Sequence, residues 1–239
     1  MKVSFLQRSK EVEIMDDLDY HDDVVFQTLR ELDFINQWLG GNAVTLDAIK
    51  KIWKGIAKEQ SISIVDLGCG SGEMLRLITN KAMHQNRNVL LTGIDANPHI
   101  VDYAKNHSGD FTNIKFEALN IFSKEFLSRN FDIAIATLFL HHFSDEELIQ
   151  FFAALKEKAK VGIIVNDIHR HPLAYYFIKW LTSLFSKSRM VKYDAPLSVL
   201  RAFKRNELKI ILEKAGIKNY ELRWRWAFRW QLIIFCQKN

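Results

Sequence analysis

Residues 64 to 72 read IVDLGCGSG: a short apolar run carries Asp66 near its end, and Gly68, Gly70 and Gly72 follow at alternate positions. Glycines so spaced leave the backbone bare, so a ligand can approach it closely, and a helix starting beyond the loop offers free N–H groups to an anion. A dinucleotide would use the spacing G-x-G-x-x-G. Here the position of its third glycine is Glu73. An acid beside the loop repels a pyrophosphate, so Asp66 with these glycines suits a cationic ligand whose anionic group is only a carboxylate. A second acid, Asp95, ends the next apolar run, VLLTGID.

Histidines supply the other candidate chemistry. His141 and His142 follow the fourth apolar run, and His169 and His171 follow the fifth. Imidazole is a natural general base for a weakly acidic hydroxyl, and His141 and His169 are taken as the candidate catalytic residues. Arg170 stands between the latter two histidines, so that cluster either faces a substrate or binds an anionic group. No metal is expected, because the four histidines lack a helical i, i+4 pair or a paired-carboxylate motif. Cys69 and Cys236 have no ligand spacing and predict no disulfide framework.

Positioning these groups requires alternating strands and helices. Residues 22–39 and 43–58 predict two amphipathic helices parted by Gly40 and Gly41, with Val25, Leu29, Leu32, Ile35 and Leu39 in helical period. From Ser61 onward, strands are expected at ISIVDL, VLLTGID, IKFEAL, FDIAIATLF and VGIIVND, with helices between most of them. That alternation implies a parallel sheet with helices on both faces, joined by right-handed crossovers. In such a sheet the ligand lies beyond the carboxyl ends of the strands, where all four histidines fall. The segment at 204–216 predicts a helix stopped by Gly216, and two closely spaced final strands, 217–226 and 229–237, must pair antiparallel.

These residues resemble the class I S-adenosylmethionine-dependent methyltransferases. VDLGCGSG is similar to the first motif of that family and GIDANPHIVDYAK to its second, and the resemblance extends over roughly residues 60 to 237. It implies a Rossmann-like α/β fold of seven strands, mostly parallel with a C-terminal antiparallel hairpin. Residues 1–58 would be an N-terminal helical cap, and 59–239 the methyltransferase domain with an inserted helix near 172–186. The implied cofactor is S-adenosylmethionine, held by Asp66, Gly68, Cys69, Gly70, Gly72, Asp95, Ala96, Asn120, Ile121 and Thr137. Asp95 would accept from both ribose hydroxyls. Where the family usually has an acid for the adenine amino group this chain has Asn120, whose amide oxygen can still accept and whose NH₂ can reach a ring nitrogen.

A looser similarity of the N-terminal stretch and of RWRWAFRW to a bacterial small-molecule subgroup implies a small hydrophobic acceptor, phenolic or quinone-type, methylated on oxygen. Two alternatives stand beside it. Residues 186–239 hold 13 Lys/Arg against 4 Asp/Glu, within a chain of net charge +5, so a nucleic-acid substrate is one. Against it, no basic run with interleaved aromatics is present apart from RWRWAFRW, whose alternation equally suits a strand. The other is a non-catalytic adenosyl-binding protein. The aromatic stretch 173–185 reads as core, as acceptor-pocket wall, or as a membrane-surface contact with basic flanks; it is too short to span a bilayer. The N-terminal residues are charged every few positions with no apolar signal core, so a cytoplasmic protein is expected.

Overall fold

The computed structural model describes residues 3–17 and 23–236. Two helices come first, α1 (Asp23–Trp38) and α2 (Gly41–Trp53), turned by Gly40 in the left-handed region (φ 72°). The alternating part follows: β1 (Ile62–Leu67), α3 (Glu73–His84), β2 (Val89–Asp95), α4 (Pro98–His107), β3 (Ile114–Ala118), α5 (Lys124–Leu127), β4 (Phe131–Thr137), α6 (Asp145–Lys158) and β5 (Ala159–Ile168). The chain ends with α7 (Pro172–Phe185), α8 (Arg189–Arg201), α9 (Arg205–Lys214), β6 (Tyr220–Arg225) and β7 (Arg229–Phe235).

The seven strands form one sheet in the order β3-β2-β1-β4-β5-β7-β6. The first five are parallel, and β7 runs antiparallel to both β5 and β6. The hairpin expected at the C-terminus is therefore present, inserted with β7 inside and β6 at the edge. Strand alternation divides the core into two layers. Val65, Leu67, Ala134, Ala136, Ile163 and Val165 face the helices α6 and α9. Ile62, Ile64, Ile133, Ile135 and Ile164 face α2 and α3.

Local chemistry sets the helix starts. Asn97 caps α4 through the N–H groups of His99 and Ile100, with Pro98 at the first helical position. Ser144 and Glu147 form a reciprocal capping box on α6.

Several details differ from the sequence expectation. α2 begins two residues earlier than expected and stops at Trp53, because the turn 54–56 closes on it through short-range backbone bonds. Its Ile52 and Trp53 are buried in the core layer beneath the sheet. α8 has no counterpart in the sequence reading, since Pro196 sits in its interior and argues locally against a helix. The expected first helix from residue 22 and the last strand through Gln237 reach outside the described residues.

Candidate functional site

Strand order reverses between β1 and β4, which opens a crevice beyond their carboxyl ends. A cavity of about 600 Å³ lies there, within the range of a small-molecule site. Its floor is the loop after β1. Gly68, Gly70 and Gly72 have φ of 66°, 51° and 75°, a conformation that L side chains rarely adopt. At Gly68 a Cβ would also fall 2.1 Å from the ring of Phe139, and at Gly72 2.6 Å from that of Phe116. The loop is tied to the end of β2 by Cys69 N–H donating to Ile94 O (3.0 Å) and Gly70 N–H donating to Asp95 Oδ2 (3.2 Å).

Of the residues expected to hold the cofactor, Asp66, Gly68, Cys69, Gly70, Asp95, Ala96, Asn120, Ile121 and Thr137 all line this cavity. Gly72 caps α3 just behind it. Asn120 Oδ1 is engaged locally, accepting the Phe122 N–H at 2.8 Å. Thr137 shares its hydroxyl with Thr45 of α2 (3.0 Å).

The electrostatics favour a cation. Asp66 is buried, its Oδ1 has no hydrogen-bond partner among the described residues, and burial together with nearby Asp95 pushes its carboxyl up to about 8. Burial also raises the Asp95 carboxyl, against N–H groups of Asn97 and Gly70 that stabilise its anion. A third acid comes from α1: burial, with Glu73 adding to it, lifts Asp33 to about 6 against a hydrogen bond from Ser71. An orphaned buried carboxylate oxygen beside a bare loop fits a positively charged ligand.

The candidate bases separate. His141 is buried and does not line the cavity; its Nδ1 meets Asp167 Oδ1 at 2.8 Å, while Asp167 Oδ2 accepts the N–H groups of Leu140 and His141. Burial would raise the Asp167 carboxyl, but the charge and hydrogen bond of His141 hold it below its usual value. His141 is thus an anchor for the loop after β4. His169 lies elsewhere, half-buried in a shallow hollow with Arg170 and His171 that shares no lining residue with the main cavity. Its Nδ1 accepts from Trp224 Nε1 (3.2 Å), and burial lowers the imidazole to about 4. Neither His141 nor His169, the two positions expected to supply a base, lines the main cavity. The Arg170 guanidinium is committed within the protein: it is buried and donates to the carbonyls of Phe5 and Ala202 and to Glu207.

The histidine that does line the cavity is His142, whose Nδ1 is 2.5 Å from Asp16 Oδ1. Arg201 of α8 also lines it and donates to Asp16 Oδ2 at 2.5 Å and to His142 O at 2.6 Å. Burial works to raise the Asp16 carboxyl, and the bonds and charges of His142 and Arg201 overcome it, holding it well below the carboxylate range. Glu13, behind them, is pushed up to about 7 by burial against the charges of His142 and Arg201. Glu13, His141 and His142 place one atom each within 4.8 Å of one another, and Arg201, 3.7 Å from Glu13, already supplies a cation to them. Asp16, Asp33 and Arg201 carried no motif that sequence reasoning could find, since each reaches the cavity from a segment remote from the glycine loop.

With this geometry in place, comparisons assign the class. The family described as "Methyltransferase domain" matches residues 58–216. The chain belongs to that family, and its sheet, glycine loop and paired acids are those of the class I branch, whose cofactor is S-adenosylmethionine. Among solved structures it is similar to the plantazolicin methyltransferase BpumL in complex with SAH, at 14% identity over 94% of this chain and 99% of that one, TM-score 0.63. It is also similar to human N-acetylserotonin methyltransferase with SAM (18% identity, 88% of this chain and 56% of that one, TM-score 0.59). The CurJ carbon methyltransferase is a third (14% identity, 83% and 54%, TM-score 0.60). The chain spans little more than half the length of the latter two, and these likenesses concern the fold. No curated protein matches the sequence.

Proposed function

We propose that the protein transfers a methyl group from S-adenosylmethionine to a hydroxyl of a small hydrophobic acceptor, phenolic or quinone-type. The observation that carries this reading is the Asp16–His142 pair lining the same cavity as Asp66, Asp95 and the glycine loop. The cofactor supplies an electrophilic methyl carried on a sulfonium. Asp66 and Asp33 would balance its positive groups, Asp95 would take its ribose hydroxyls, and the Asn120 NH₂ would read its base.

In-line methyl transfer demands alignment and exclusion of water. Leu29 and Leu32 of α1 and Met15 of the N-terminal segment line the cavity with apolar surface suited to both tasks. A phenol of pKa near ~10 also gains from a base. With Nδ1–H directed to Asp16, the His142 Nε2 would hold a lone pair able to take the hydroxyl proton, while the methyl's bond to sulfur breaks in favour of the bond to oxygen and the sulfonium leaves as a neutral thioether. The imidazolium so produced would be stabilised by the Asp16 carboxylate, as a half-buried ion pair with a hydrogen bond.

One of the similar structures, CurJ, is a carbon methyltransferase, so the attacking atom is the point to decide. The deciding experiment is a turnover screen of phenols, hydroxyquinones and carbon acids with S-adenosylmethionine, read by mass spectrometry. A methyl ether from a phenol or hydroxyquinone supports the proposal; methylation only at carbon, or cofactor binding with no turnover, rejects it.

A further inference from the structure

α7 is apolar on both faces, yet only one of them is covered. Ala174, Tyr175 and Leu181 are buried, and Ala174 and Tyr175 pack with Leu197 and Leu200 of α8. Leu173, Tyr176, Phe177, Trp180 and Leu184 are exposed, with Leu173 at 65%, Trp180 at 56% and Leu184 at 58%. At ~100° per residue these five fall within an arc of about 100°, a single continuous stripe. Phe185, 72% exposed, ends the helix outside that arc. At the other end Phe228 of the β6–β7 turn stacks on His171, the N-cap of α7, and exposed Trp226 lies beside Phe228. A contiguous apolar patch of this kind marks an interaction surface rather than ordinary surface scatter.

Charge selects the occupant. From Pro172 to Tyr193 the chain carries Lys179, Lys187, Arg189 and Lys192 and no carboxylate. All four cations are exposed, and none makes a side-chain ion pair among the described residues. By contrast, Arg223 and Arg225 of the neighbouring hairpin are already paired, with Glu221 and Asp47. A second copy of the chain docking through this stripe about a two-fold axis would set the four cations against their own counterparts. An anionic bilayer surface instead offers an apolar layer for the Trp, Tyr, Phe and Leu side chains and phosphates for the lysines, whose long stems let the charge reach back toward the headgroups.

From this stripe and its rim we infer that α7, with Trp226, is a docking face for a membrane surface carrying anionic lipid. The helix lies on the bilayer: no helix among the described residues is long and apolar enough to cross one. α8, on which α7 packs, carries Arg201 into the candidate site, so a docked α7 holds the roof of that cavity against the reservoir of any lipid-dissolved acceptor.

The test is flotation of the full chain with vesicles of phosphatidylcholine alone and with vesicles containing one third phosphatidylglycerol. Binding is expected only with the anionic vesicles, accompanied by a blue shift of tryptophan emission. It should weaken as salt rises from ~0.1 M to ~1 M, where the screening length falls from about 10 Å to about 3 Å. A double substitution on the exposed face, Trp180→Ser with Leu184→Ser, should lower binding about tenfold or more with melting unchanged, since neither side chain contributes to the core. Lys187→Gln with Lys192→Gln should reduce it in low salt. Absence of binding to anionic vesicles, or binding indifferent to the Trp180 and Leu184 changes, overturns the inference. So does a concentration-dependent dimer in sedimentation that those same changes dissolve, which would give the face to a second copy. None of these readouts involves methyl transfer, so failure here is distinct from failure of the proposed function.

Discussion

His142 and Asp16 stand 126 residues apart in the chain and meet at 2.5 Å, joining the loop after β4 to the N-terminal segment that roofs the cavity. Neighbouring His141 turns instead toward Asp167 at the end of β5. Adjacent, chemically identical residues are thereby divided between a cavity position and a structural one.

Substitution should separate the two roles. His142→Gln is expected to lower kcat on a phenolic acceptor by about 10²- to 10⁴-fold, with little change in cofactor affinity. Asp16→Asn should give a smaller loss of the same kind. His141→Ala should instead reduce folding stability by roughly 3 kcal/mol, since it strips a buried carboxylate of a partner. Steady-state kinetics and urea unfolding on the three variants check this assignment.

Cofactor binding should release a proton near neutral pH. The Asp66 carboxyl, at about 8 in the unliganded protein, is largely protonated at pH 7. A positively charged ligand beside it lowers that value, so the proton leaves on binding and affinity rises with pH until about 8 is passed. Titration calorimetry of S-adenosylmethionine in buffers of differing ionisation enthalpy should give a net proton release at pH 7 that vanishes in Asp66→Asn. Identical heats after buffer correction, with no pH dependence, would contradict it.

Asp95 fixes the glycine loop through the Gly70 N–H and, on the proposed reading, would also offer acceptors to the ribose. Asp95→Ala should weaken S-adenosylhomocysteine binding by roughly 10- to 100-fold, the loss of one or two charge-assisted hydrogen bonds. Asp95→Asn retains one oxygen, so it should fall between wild type and the alanine variant by calorimetry.

The parts legible in the sequence were those written locally. Apolar runs of strand length, three glycines at alternate positions and the acid closing each of two strands fixed the sheet and the floor of the site, because each depends on near neighbours. The roof was hidden: Asp16, Asp33 and Arg201 arrive from segments separated from the loop by dozens of residues, and nothing in their surroundings marks them. His141 and His169 were plausible by position at strand ends. Burial against Asp167 in one case, and a hollow made with Trp224 and Trp230 in the other, is information about tertiary packing that no spacing carries. α8 was obscured by Pro196, a local signal overridden by the packing of α7 against it.

Glu13 gives the site a pH-dependent stability of definite sign. Its carboxyl is 4% exposed, one oxygen accepts from the Ser198 hydroxyl at 2.9 Å and the other has no hydrogen-bond partner among the described residues. Burial raises it from an ordinary value near 4.5 to about 7. Below pH 4.5 both folded and unfolded chains hold the proton, so Glu13 has no pH-linked cost there. Between 4.5 and 7 the unfolded chain releases its proton while the folded chain keeps it, and stability declines as pH rises. The full loss, reached above pH 7, is about 3 kcal/mol for a shift of this size, as an order of magnitude. Glu13→Gln, which carries no ionisable group, should therefore gain on wild type when unfolding free energies are compared at pH 8 and at pH 5, with the advantage confined to the higher pH. An equal difference at both pH values would mean that Glu13 is ionised throughout, held by Arg201 at 3.7 Å and by the His142–Asp16 pair beside it.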